Sequence, residues 1–173
     1  VFLHLRHQNF ILNLRMRKLI VLCLVVLLVA CKDKEKDSPV TPDYAPAFVG
    51  NYSTTTVDGG TTTVQDWEIT TTDKNILAIN YTKSIKVTVS GTVIPDVQIR
   101  KVKEAKVTAE DSFTIDEVVD VTRTGGDVIQ QKLSGVATKV TNAAGATQLN
   151  ITLKWVNTAN NQSGEDYLEF KQK

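Results

Sequence analysis

Leu149-Asn150-Ile151-Thr152-Leu153-Lys154-Trp155 alternates apolar and polar residues without a break. A period of two puts Leu149, Ile151, Leu153 and Trp155 on one face of an extended chain, and Asn150, Thr152 and Lys154 on the other. The pattern recurs upstream. Leu77, Ile79 and Tyr81 alternate with Ala78, Asn80 and Thr82; Ile85, Val87 and Val89 alternate with Lys86, Thr88 and Ser90; Trp67 and Ile69 sit between Asp66, Glu68 and Thr70. One apolar and one polar face per strand is the pattern of antiparallel sheet covered on a single side. The chain from Ala47 to Lys173 is also rich in Thr and Val and broken by Gly and Asn, so its fold class is all-β.

The turn residues agree. Asp58-Gly59-Gly60 and Thr124-Gly125-Gly126-Asp127 are hairpin signals, because glycine supplies the positive φ of tight turns. Asn142-Ala143-Ala144-Gly145 and Asn160-Asn161-Gln162-Ser163-Gly164 read as longer loops. Strands are predicted near 48–57, 62–71, 76–82, 85–93, 96–108, 112–121, 128–140, 147–157 and 166–172. Residues 97–109 are ambiguous, since Ile99, Val102, Ala105 and Ala109 also fit helical spacing; we read strand. Eight or nine strands with short connections form a meander. Closing it into a barrel removes its exposed edges. A two-layer sandwich is the alternative, and spacing does not separate the two.

Composition is uneven along the chain. Residues 1–30 hold four bases, both histidines and no acid; after residue 30 the remaining 16 basic residues face 19 acidic ones. Beyond residue 30 there is no histidine, and Cys31 is the only cysteine. That portion therefore offers no His-based acid/base pair, no Ser–His or Cys–His nucleophile, no His/Cys zinc site and no disulfide of its own. A slightly acidic domain is also a poor partner for nucleic acid.

The front segment is of another kind. Met16-Arg17-Lys18 precedes twelve apolar or small residues, Leu19 to Ala30, and then Cys31. A basic start, a short apolar run and a small residue before the cut form a secretory signal peptide, here 16–30. A membrane-spanning helix needs about 20 apolar residues, and this run stops short of that. Met16 is the expected start of translation, with 1–15 an over-extended gene start. Leu28-Val29-Ala30-Cys31 resembles the bacterial lipobox. The resemblance implies transfer of a diacylglyceryl group to the Cys31 thiol, cleavage after Ala30, and acylation of the new amino terminus. Two or more acyl chains anchor a protein stably, where a single chain does not.

Residues 31–46 carry alternating charges and three of the four prolines. Such a segment buries too little to offset its ordering entropy and is expected to be a solvated tether. Lys32-Asp33-Lys34-Glu35 resembles the export tag of surface lipoproteins of the Bacteroidota, which implies outward exposure on the outer membrane; a spacer facing the periplasm is the other reading. Phe48-Val49-Gly50-Asn51-Tyr52, with Tyr167-Leu168-Glu169-Phe170 at the far end, resembles the opening and closing strands of lipocalin-like (calycin-like) β-barrel lipoproteins of the same phylum. That resemblance implies an up-and-down barrel, 47–173, with an apolar interior. Tyr52 stands where lipocalins carry Trp, and no arginine near the carboxyl end covers the ring.

Candidate sites are few. Trp67 and Trp155 suit sugar stacking, yet alternation puts both on the apolar face, where a core role is expected. Tyr52 and Tyr81 share that face, with hydroxyls that could reach a barrel mouth. Asp116, Glu117 and Asp120, or Asp66 and Glu68, are carboxylates of the kind glycosidases pair, but strand neighbours two apart produce such pairs without chemistry. The loop Asn157 to Asp166 lacks the spaced ligands of a calcium site. Arg100 and Arg123 are the only arginines of the domain, each suited to an anion or to a surface ion pair. The expectation is a non-enzymatic lipoprotein of the envelope. It is held by lipid on Cys31 and binds a small apolar or amphipathic ligand through Tyr52, Trp67, Tyr81 and Arg100, with no metal or cofactor. The alternative is an interaction module docking on another envelope protein or a glycan.

Overall fold

A computed structural model describes residues 42–141 and 143–173. The signal peptide, the lipobox residues Leu28, Val29 and Ala30, Cys31 and the tether up to residue 41 lie outside the described residues. Eight antiparallel strands follow in chain order: β1 (Gly50–Asp58), β2 (Thr61–Asp73), β3 (Ile76–Val89), β4 (Thr92–Ala109), β5 (Ser112–Arg123), β6 (Val128–Thr141), β7 (Thr147–Asn157) and β8 (Ser163–Gln172). Each pairs with the next, and β8 returns to β1, so the sheet closes into a barrel rather than a sandwich. Among the described residues no helix is long and apolar enough to cross a membrane.

Described residues ahead of Ala47 also contact the barrel, through Asp43 and Asn75. The Asp43 carboxylate accepts the backbone N–H groups of Ala45 and Asn75 at 3.1 and 3.0 Å, and the Asn75 side chain joins Tyr44 N–H and Pro42 O. These bonds seat a 3₁₀ turn, Ala45–Phe48, whose Ala45 and Phe48 are fully buried. Phe48 packs edge-on against Phe113 at 5.2 Å, and Lys139 lies over its ring and donates to Ala47 O. One end of the barrel is thereby plugged. Residues 42–173 hold all eight described strands and one continuous apolar core running from Ala45 to Phe170.

The expected strands 76–82 and 85–93 merge into one up to Val89, and the last two residues of the second, Thr92 and Val93, open β4. Lys83 and Ser84 fall between the two expected ranges, but the inner-face phase runs unbroken through Leu77, Ile79, Tyr81, Lys83 and Ile85. The reversal comes at Ser90 and Gly91, both at positive φ (51° and 82°), as the tight hairpins that suit strand twist require. Pro95 consequently sits inside β4, opposite Lys86.

The helix-like spacing in β4 also has a cause. Arg100 and Val102 face inward, and the next buried residue is Ala105, three positions on. Lys103 and Glu104 bulge out together, and the β4–β5 ladder lapses between its Arg100 and Lys106 pairs. The Glu117 carboxylate fills the gap by accepting the N–H groups of Lys103 and Glu104 at 2.8 and 3.1 Å. A bulge that shifts the inner phase by one residue turns a period of two into an apparent period of three.

The opposite seam is short. β1 and β8 are in register only at Tyr52–Gln172 and Ser53–Lys171, supplemented by the Lys173 N–H bond to Asn51 O at 2.9 Å. Above these pairs a groove of about 560 Å³ separates Thr54–Thr56 from Tyr167–Lys171. Closure of the barrel thus rests on one short seam, β1–β8, while the β4–β5 ladder is interrupted only at the bulge.

Candidate functional site

Strand register stacks the interior in rows, and polarity changes from row to row. Tyr52 lies opposite Trp67, Trp67 opposite Tyr81, and Tyr81 opposite Arg100. The four side chains singled out in the sequence thus form a single row across β1 to β4. The row above it is polar: Gln65 opposite Lys83, Lys83 opposite Gln98, Gln98 opposite Arg123. Below it the inner face is apolar, with Ile69, Ile79 and Val102 all at most 2% exposed.

The row itself grades from core to site. Tyr52 and Trp67 are fully enclosed, and neither the Tyr52 hydroxyl nor the Trp67 indole N–H has a partner. Trp67 packs against Phe170 with centroids 4.3 Å apart and edge-on to Tyr81 at 5.7 Å. The Tyr52 hydroxyl therefore stops inside the core instead of reaching the mouth. Tyr81 stands at the transition: its hydroxyl donates to Gln65 Oε1, and burial pushes its pKa up. Arg100 lies over the Tyr81 ring at 5.0 Å, a cation–π contact that follows directly from their register.

Arg100 is the least ordinary side chain of the domain. It is only 5% exposed, yet no carboxylate lies within ion-pair distance of it among the described residues. Its Nε and Nη2 donate to Gln131 Oε1 at 3.2 and 3.1 Å, Nη2 also donates to Gln98 Oε1 at 2.7 Å, and Nη1 is buried with no acceptor. Burial pulls its pKa down, against the weaker attraction of distant acids. Arg123 differs. It pairs with Asp96 at 2.7 Å near the surface, which raises the arginine's pKa and lowers that of the acid. Lys83 pairs with Asp166 at 3.3 Å. Lys83 and Arg123 thus each have a carboxylate partner within ion-pair distance, and Arg100 has none.

Lys83, Gln98, Arg100, Arg123 and Gln131 wall a cup of about 480 Å³ at the unplugged end, together with Ile85, Ile129, Trp155 and residues of the β7–β8 loop. Pockets that hold small ligands fall in the range of roughly 300–1,000 Å³. Trp155 faces inward, as alternation predicts, but it is half-buried in the cup wall instead of enclosed in the core. Its ring covers Gly164, where an added Cβ would fall 2.6 Å from the indole. Alternation tells which way a side chain points but not how far along the barrel it lies. Gln65, Gln98 and Gln131 escaped the sequence reading as well, because neutral amides carry no titratable signal.

The carboxylates examined as a hydrolytic pair are engaged elsewhere. Asp116 pairs with Lys132 at 2.6 Å, Asp120 accepts from Gln130, Asp66 pairs with Lys173 at 2.8 Å, Glu68 accepts from Asn80, and Glu117 closes the β4 bulge. In the β7–β8 loop, Asn157 and Asn160 turn their side-chain oxygens back onto the N–H groups of Ala159 and Gln162. Among the described residues no three His, Cys, Asp or Glu side chains gather as a metal site. Compared with known proteins, the chain matches no family model, no curated protein and no solved structure.

Proposed function

We propose that this chain is a non-enzymatic lipoprotein of the cell envelope, anchored through Cys31, whose lipocalin-like barrel binds one small amphipathic molecule in its open end. The observation that carries the reading is the cup: a concave, mixed-polarity cavity with a buried, unneutralised guanidinium in its wall. Depth limits the ligand. Beneath the Arg100 row, Ile69, Ile79, Val102, Leu149 and Ile151 are at most 2% exposed, so a long chain cannot thread toward the plugged end. What fits is short, with an apolar part for Trp155, Ile85 and Ile129 and a polar part for the glutamines and Arg100. The lipocalin-like opening and the lipobox supply the rest: a barrel held at a lipid surface, its mouth free to take up a solute.

The interaction-module reading draws on the β1–β8 groove, beside which Val57 and Tyr167 are 71% and 61% exposed. Two measurements test the proposal. Radiolabelled palmitate is expected to label the wild-type protein and not Cys31→Ser; equal labelling of both would remove the anchor. Native mass spectrometry of residues 42–173, incubated with short amphipathic molecules, is expected to show a one-to-one complex. A folded barrel that takes up none of them would leave the docking role instead.

A further inference from the structure

We infer that the polar end of the ligand is a single carboxylate and that Arg100 is the residue that recognises it. This rests on the ligand-binding reading of the cup and narrows it to a chemical class. The pairing sets the sign: Lys83 is satisfied by Asp166 and Arg123 by Asp96, and Arg100 is the lining cation left without a carboxylate, which an anionic group would supply.

The hydrogen bonds point to the same ligand. A guanidinium presents parallel N–H pairs that match the two oxygens of a carboxylate. In Arg100 one nitrogen, Nη1, has no acceptor, and the other, Nη2, is served by neutral amide oxygens. Gln131 is buried and holds the guanidinium from behind. Gln98 is more exposed, and its own amide N–H₂ is steadied by Asp96 at 2.9 Å. The Gln98 oxygen occupies a place that a stronger acceptor would take, and its displacement opens Nη1 and Nη2 together. The apolar body of the ligand then lies against Trp155, whose ring is held flat over Gly164.

Octanoate and 1-octanol share an apolar body and differ in charge, which makes them suitable probes. Calorimetric titration of residues 42–173 at neutral pH is expected to show octanoate binding about tenfold or more tightly than octanol, the scale of one charge-assisted hydrogen-bond pair. Arg100→Gln is expected to remove that advantage and leave octanol unchanged. Lys139→Gln, which deletes a cation at the plugged end, is expected to leave both affinities as they are. If Arg100→Gln does not fold, Arg100→Met combined with Gln131→Leu replaces it. Equal binding of the two probes by wild type, or an equal loss with Lys139→Gln, would overturn the role of Arg100 while the cup remains a binding site. Failure of both probes on folded wild type would overturn the binding reading itself.

Discussion

Trp67→Ala is expected to destabilise the barrel by about 3–5 kcal/mol, the cost of emptying a large aromatic site that cannot collapse. Trp67 is 2% exposed, centred in the Tyr52–Trp67–Tyr81–Arg100 row, and wedged against Phe170 from β8 and Tyr81 from β3. It therefore ties β2 and β3 to the far side of the short β1–β8 seam, where only two register pairs hold the closure. Because its indole N–H is buried without an acceptor, Trp67→Phe removes an unsatisfied donor along with some volume. The phenylalanine variant is expected to lose no more than about 1 kcal/mol, volume loss being offset by the removed donor. Urea unfolding of residues 42–173 measures both. Similar losses for the two would mean that the indole N–H has a partner.

A second large effect concerns the site. Gln131→Leu is expected to cost about 2–3 kcal/mol, because it strips the buried guanidinium of its principal acceptor. Gln131 is 6% exposed and takes bonds from both Nε and Nη2 of Arg100. Adding Arg100→Met to that variant is expected to restore the loss and to exceed wild-type stability by about 1–2 kcal/mol, since well-packed apolar groups commonly outperform buried ions. Arg100 would then be a residue that the fold tolerates at a cost, retained for what it binds. Thermal and urea unfolding of the single and double variants check this. If the double variant is less stable than Gln131→Leu alone, Arg100 is a structural residue.

Much of the barrel was legible because a strand with one covered face writes its period directly into the chain. β7, for which Leu149 to Trp155 alternate cleanly, shows this best, and the glycine pairs at 59–60 and 125–126 marked their hairpins. The reading failed where the inner face stops being apolar. Lys83 interrupts the apolar phase of β3 because inward polar residues line the mouth, which no local pattern announces. The β4 bulge looked helical because its cause, the Glu117 carboxylate, lies on another strand.

The site was half visible. Alternation and residue type singled out Tyr52, Trp67, Tyr81 and Arg100, and register alone reveals that they form one row. What makes Arg100 unusual is a lack of acid around it, together with a glutamine partner 31 residues away. Neither property is local. Nor does the sequence distinguish Arg100 from Arg123, which meets Asp96 near the surface and forms the common sort of ion pair.

The proposed ligand site at the open end of the barrel is tested most directly by backbone and indole NMR shifts during an octanoate titration of residues 42–173. The changes are expected to concentrate at Lys83, Arg100, Gln131 and the Trp155 indole, with Phe48 and Phe113 at the plugged end unmoved. Shifts centred instead on Thr54–Thr56 and Tyr167–Lys171 would place binding in the groove outside the barrel and contradict the account.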